Sequence, residues 1–237
     1  MLPVAIFRHS PTEGPGYFAT YLERHGIPWT LLAVDAGAAI PLSAEEFSGL
    51  AFMGGPMSVN DDLPWIPAVL QLIRSAVDRD IAVLGHCLGG QLMAAAMGAS
   101  VARNPVKEIG WGRVDVAESE TARAWFGETR SFLSYHWHGE TFTIPRGATC
   151  VAFSRYCANQ AFVLDRHLGL QCHVEMTEEM IRAWAESGKR EIERAAGDSV
   201  QPAAEMQRYL SARVRALHGV AEQLYGHWIE GLKDRSR

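Results

Sequence analysis

Through the first two-thirds of the chain, short apolar runs bounded by turn-forming residues alternate with longer stretches whose apolar positions recur at helical spacing. The apolar runs fall at 4–7, 30–34, 50–53, 81–84, 114–116, 150–153, 161–164 and 168–172. Several are apolar on both faces, as strands of a sheet covered on both sides must be. The helical patterns fall at 17–25, 65–80 and 88–97, the last rich in Ala, Leu and Met. Strand alternating with helix builds βα units, so the pattern predicts an α/β fold with a mostly parallel open sheet and helices on both faces. Between 150 and 172 the strands crowd together, and Asp165-Arg166-His167 predicts a hairpin turn there.

From Thr177 onward the pattern becomes helical. Thr177 followed by Glu178 and Glu179 suits a helix start, by capping and by the dipole. The charged, small-residue stretch 188–199 reads as a solvated helix or linker. Beyond Pro202, the residues Met206, Leu210, Val214, Leu217, Leu224, Trp228 and Leu232 form one apolar stripe, expected over two helices broken near Gly219. The division is therefore a main domain over 1–187 and a C-terminal helical extension over 188–237. The stripe packs the extension onto the main domain or serves a homodimer contact.

Composition adds exclusions. With 237 residues, 48% hydrophobic and 21% charged, the chain can bury a large core. A net charge of −5 and the lack of any Lys/Arg run disfavour nucleic acid as a partner. There is no stretch of 18 apolar residues and no signal-peptide pattern at the N-terminus, so a cytoplasmic location without a membrane association is expected. The four cysteines, Cys87, Cys150, Cys157 and Cys172, make no C-x-x-C pair, which argues against zinc or a disulfide scaffold.

One cysteine stands in a chemical context. The strand pattern ending at Leu84 runs into Gly85-His86-Cys87-Leu88-Gly89 and then a helix, the arrangement of a nucleophile elbow. Such a turn strains its central residue, and the glycines on either side let its two arms pass closely. The following helix aims free N–H groups at the sulfur and leaves the Leu88 N–H for an oxyanion. At the end of the last strand pattern, His173 and Glu175 are two residues apart, so both project to one side and the carboxylate can orient the imidazole. The run ending in Gly54-Gly55-Pro56 lets backbone approach a ligand, with Gly55 as the second oxyanion donor. A metal site built on His136 and His138 with Cys87 or His173 lacks a fixed ligand spacing, and none is expected. Cys150, Cys157 and Cys172 read as packing residues.

These three segments, Gly54-Gly55-Pro56-x-Ser58-Val59, Gly85-x-Cys87-Leu88-Gly89-x-Gln91 and Gln171-x-His173-x-Glu175, resemble the signature motifs of class I (triad) glutamine amidotransferase domains. The resemblance covers about residues 1–185. It is nearest to a stand-alone subgroup similar to the glutaminase domain of GMP synthase, as Asn104–Trp111, His136-Trp137-His138-Gly139 and Asn159–Phe162 also suggest. It implies a flavodoxin-like open sheet, Cys87 as nucleophile, His173 as base and acid, Glu175 as its partner, and Gly55 and Leu88 as oxyanion donors. It further implies substrate contacts from Gln91 and from a loop over Trp137, His138 and Gly139. The implied reaction is hydrolysis of the γ-amide of glutamine or a γ-glutamyl amide, through a thioester and with no cofactor. A separate synthetase subunit would accept the ammonia. Alternatives are a stand-alone γ-glutamyl peptidase or hydrolase, or a non-catalytic γ-glutamyl-binding regulatory module. The sequence departs from the common pattern at His86, where many members carry a branched apolar residue, at Gly90, and at Glu140, where the subgroup usually has Asp.

Overall fold

A computed structural model of the protein describes residues 1–233; residues 234–237, the end of the expected C-terminal extension, lie outside the described residues. The doubly apolar runs become strands β1 (Val4–Arg8), β2 (Trp29–Ala33), β3 (Gly49–Phe52) and β4 (Ala82–His86). They are joined by helices α1 (Gly16–Arg24) and α2 (Ile66–Asp78), with α3 (Leu88–Ala96) following β4. A long strand β5 (Val101–Val116), helix α4 (Glu120–Phe126) and strand β6 (Ser131–Phe142) come next, then β7 (Thr149–Ser154), β8 (Ala161–Leu164) and β9 (His167–Leu170). Helices α5 (Glu178–Ser187), α6 (Lys189–Arg194), α7 (Ala203–Met206) and α8 (Leu210–Glu230) complete the chain.

All nine strands form one sheet in the order β2-β1-β3-β4-β9-β8-β7-β5-β6. The α/β open sheet with helices on both faces is as expected, but the sheet is mixed rather than mostly parallel, because the strands from β5 onward join one another as antiparallel neighbours. From β2 to β9 every pairing is parallel, and from β9 to β6 every pairing is antiparallel. The β8–β9 hairpin turns between Leu164 and His167, with Asp165 in left-handed geometry at φ 51°. Two apolar clusters fill the two faces. One includes Phe7, Phe52, Ile73 and Leu92 under α2 and α3. The other includes Phe18, Trp125, Tyr225 and Trp228 under α1, α4 and α8.

Two local expectations change and one holds. Helix α8 runs unbroken through Gly219, because its apolar residues from Leu210 to Trp228 stay on one buried face and that face outweighs a single glycine. Of β5 the apolar pattern marks only 114–116, and it omits β6 and α4. Strands β5 and β6, at one end of the sheet, carry polar and charged residues, with Pro105 in β5, and their register shifts between Arg103 and Glu108. Thr177 does cap α5, its Oγ1 accepting from Met180 N at 3.3 Å.

Helix α8 is tied to the sheet by Trp228, which is fully buried, meets Phe18 edge-on at 5.6 Å and covers Gly49. Replacing a fully buried tryptophan by alanine removes apolar burial and leaves a cavity. Trp228→Ala should therefore lower unfolding stability by about 3–5 kcal/mol, read from urea denaturation.

Candidate active site

The site is assembled where β1, β3, β4 and β9 end. Between β4 and α3, Cys87 adopts φ 51° and ψ −108°, a conformation that costs a non-glycine residue of order 1–3 kcal/mol. The arms of this turn touch: a Cβ on Gly85 would lie 2.4 Å from Gly89 C, and one on Gly89 would lie 2.0 Å from Phe52 O. Cys87 N donates to Leu170 O at 2.8 Å, which fastens the turn to the end of β9. The thiol is 6% exposed at the foot of a cleft of about 910 Å³ that Gly55, Gln91, Trp137, His138 and Gly139 also line.

His173 lies after β9, held by its N–H to Tyr135 O at 2.9 Å. It belongs to no strand, since β9 ends at Leu170. The two-residue spacing nevertheless brings the expected pair together, with His173 Nδ1 and Glu175 Oε1 2.6 Å apart and both side chains buried. Nδ1 donates to the carboxylate. Burial opposes the charged imidazole, but Glu175 and the nearby Cys87 sulfur outweigh it and lift His173 well above the ordinary histidine range. Burial likewise opposes the Glu175 carboxylate, but His173 and His86 hold its pKa down to about 2. His173 Nε2 is buried without a hydrogen-bond partner. The Cys87 sulfur makes only long contacts, 3.6 Å from Gln171 Nε2 and 3.9 Å to Trp137 O. Cys172 points away from the site into the core, where burial pushes its thiol up to about 12.

Gly55 packs directly on Leu88: a Cβ on Gly55 would lie 2.8 Å from Leu88 Cδ2. Among the described residues neither backbone N–H finds a protein acceptor. Leu88 is the first residue of α3, where an N–H has no intrahelical partner. Gln91 reaches the cleft, with its Nε2 donating to Gln171 Oε1 at 3.1 Å.

Residues His136–Gly139, expected as a loop, are mid-strand in β6, because the aromatic-rich run pairs with β5. His138 lies opposite Glu108 in that register, and its Nε2 meets Glu108 Oε2 at 3.1 Å. Its Nδ1 faces Glu140 O at 3.0 Å, so both ring nitrogens are occupied. The ligand atoms of Glu108, His136 and His138 lie within 4.8 Å of one another. Glu108 also accepts from Ser154 Oγ and Gln160 Nε2, at 2.9 and 2.7 Å, so the cluster is already bonded internally. Burial would raise the Glu108 carboxyl, but His138 and the other donors hold it low. Trp137 Nε1 donates to Glu191 Oε2 at 3.0 Å, and Glu191 also pairs with Lys107, linking α6 to the cleft wall.

Four further residues border the site: His86 and Glu140, which the sequence marks as departures from the common pattern, and Tyr225 and Glu13, which it does not. His86 is fully buried with Nε2 3.0 Å from the Tyr225 hydroxyl and 3.7 Å from Glu175 Oε2, so a chain of polar groups runs from His173 to α8. Burial lowers the pKa of His86, and Glu175 opposes the shift. The pattern gives no sign of Tyr225, because it falls on an apolar helical stripe. Glu13, in the turn-rich segment after β1, lines the cleft with Cys87. Glu140, in the expected Asp position, accepts from Ser58 Oγ at 2.8 Å. Among the described residues no helix is long and apolar enough to cross a membrane.

Comparison with known proteins places these residues in a wider set. The family model "Glutamine amidotransferase class-I" matches residues 17–182. The glutamine amidotransferase-like protein YfeJ of Salmonella typhimurium is 32% identical over 196 residues, covering 80% of this chain and 82% of that one. GMP synthase [glutamine-hydrolyzing] of Bacillus pumilus is 30% identical over 162 residues, 67% of this chain but only 29% of that longer enzyme. The crystal structure of a glutamine amido transferase from Methylobacillus flagellatus superposes with a TM-score of 0.97 at 43% identity, covering 100% of this chain and 98% of that one.

Burial pushes the Glu13 carboxyl up to about 7, with His173 opposing and Glu175 reinforcing the rise. Its folded pKa exceeds the unfolded value of 4.5. The folded state therefore binds more protons between these values, and stability falls as pH rises from about 4.5 to 7. Glu13→Gln removes this loss. Thermal unfolding should show the variant about 2–4 °C above wild type at pH 8 and level with it at pH 4.

Proposed function

The chain belongs to the class I glutamine amidotransferase family, and we propose that it cleaves the γ-amide of glutamine or of a related γ-glutamyl amide, with Cys87 as nucleophile. The observation that carries this reading is the convergence of three features on Cys87. The cysteine, on its strained turn, lines the cleft with Gly55; Leu88 packs on Gly55; and a buried His173, with Nδ1 bonded to Glu175, lies near enough for the sulfur to raise its pKa.

In this reading the Cys87 sulfur attacks the γ-carbonyl carbon, and the oxygen takes negative charge between the Gly55 and Leu88 N–H groups. Each such donor contributes about 2.7–4 kcal/mol of barrier lowering. His173 Nε2 gives its proton to the departing nitrogen, and the C–N bond breaks to leave a γ-glutamyl thioester on Cys87. Water then enters, His173 takes its proton, and glutamate leaves as the thiol re-forms. The balance is one water consumed, with glutamate and ammonia or a free amine released. Glu175 fixes the Nδ1–H tautomer and stabilises the imidazolium, and His86 and Tyr225 support the carboxylate from below. Gln91 and the β6 segment Trp137–Gly139 border the space for the glutamyl moiety. No step calls on a metal or organic cofactor.

Purified protein incubated with glutamine and γ-glutamyl amides should release glutamate, and Cys87→Ala should release none. Equal rates for the two proteins would refute the reading. Glu175→Gln should lower kcat by roughly 10³–10⁴ with little change in KM, because it misorients the imidazole rather than removing a substrate contact.

A further inference from the structure

Glu13 has no place in the mechanism above, yet it is built into the same cleft. Its carboxylate lies over Gly54: a Cβ on that glycine would be 2.1 Å from Glu13 Oε2 and 3.3 Å from His173 Cε1. The acid and the imidazole edge therefore share the one face that Gly54 leaves open. Nor is Glu13 a loose surface acid. Its N–H bonds Ser10 O at 3.0 Å, the preceding Thr12 O accepts from Trp184 Nε1 at 2.9 Å, and Tyr17 N donates to Glu175 O at 2.8 Å. Among the described residues no donor reaches the Glu13 carboxyl. A fixed, partly desolvated carboxyl without a protein partner is poorly solvated until a ligand supplies N–H groups or positive charge.

The direction of the cleft indicates which part of the ligand does so. With the γ-carbon at Cys87 and the glutamyl chain running towards Gln91 and Trp137–Gly139, the departing nitrogen faces His173, which protonates it. Glu13 stands beside His173, on the leaving-group side.

From this placement, and resting on the amide-cleavage reading, we infer that Glu13 selects the leaving group. It favours ammonia and neutral or cationic amines over amino acids, whose α-carboxylate would face it. The protein is then a hydrolase of glutamine and γ-glutamyl amines and a poor γ-glutamyl peptidase. An amide N–H or an ammonium gives the carboxylate its missing partner, whereas a second carboxylate sets like charges together in a poorly solvated space.

The test is a series of substrates differing only in the leaving amine: γ-glutamyl ethylenediamine (cationic), γ-glutamyl methylamide (neutral) and γ-glutamyl glycine (anionic). Steady-state kcat/KM is measured at pH 8, where Glu13 is ionised, for wild type, Glu13→Gln and Glu13→Ala. Wild type should prefer the cationic to the anionic amine by about tenfold or more, and both variants should bring that ratio close to one. A merely structural role would lower all three substrates together and leave the ratio intact. An unchanged ratio in both variants, or a wild type that prefers the glycine amide, overturns the inference while leaving amide cleavage standing. A wild type that cleaves neither glutamine nor any of the three overturns the amide-cleavage reading, and the inference with it.

Discussion

The structure around the site depends on one strained residue. Cys87 holds a positive φ that its side chain disfavours, and the surroundings must fix it there. They do so from three sides. Strand β4 is hydrogen-bonded between β3 and β9, Gly85 and Gly89 allow the arms of the turn to touch, and Leu170 O takes the Cys87 N–H. The same turn lifts the sulfur into the cleft and starts α3 directly behind it. It also presses Leu88 against Gly55, so the two proposed oxyanion donors are placed by the constraint that places the proposed nucleophile.

The second requirement is to keep charge in a dry place. His173 and Glu175 are both buried, and a buried pair stabilises only where its remaining polar atoms are supported. Here Glu175 Oε2 has no hydrogen-bond partner among the described residues; His86, 3.7 Å from it and 3.0 Å from the Tyr225 hydroxyl, extends the polar chain to α8. The C-terminal helix thereby does more than cover apolar surface: Trp228 anchors it against Phe18, and Tyr225 meets His86, which lies beside the Glu175 carboxylate. A branched apolar residue at position 86, common elsewhere in the family, would close that path.

What the sequence conveys follows from how its residues are used. The parallel half of the sheet is legible because β1, β3 and β4 are buried on both faces and read as unbroken apolar runs. The elbow is legible because glycines and cysteine stand at fixed offsets in a turn that tolerates little else. Strands β5 and β6 are not legible by the same rule, since residues such as Glu108, His136 and His138 turn polar side chains inward to build a buried network. Gly219 suggests a break in a helix whose tertiary packing overrides it. Glu13 lies in Pro11-Thr12-Glu13-Gly14-Pro15, which reads as a surface turn. Only its contact with Gly54 and His173 reveals that the turn folds back over the cleft.

A nucleophilic Cys87 must carry a covalent γ-glutamyl intermediate during turnover. Its most direct test is to acid-quench the protein during turnover with glutamine or a γ-glutamyl amide and map the modified peptide by mass spectrometry. A γ-glutamyl increment is expected on the peptide carrying Cys87 and none on those carrying Cys150, Cys157 or Cys172. Glutamate release with no adduct at Cys87, or with the adduct on another cysteine, would contradict it.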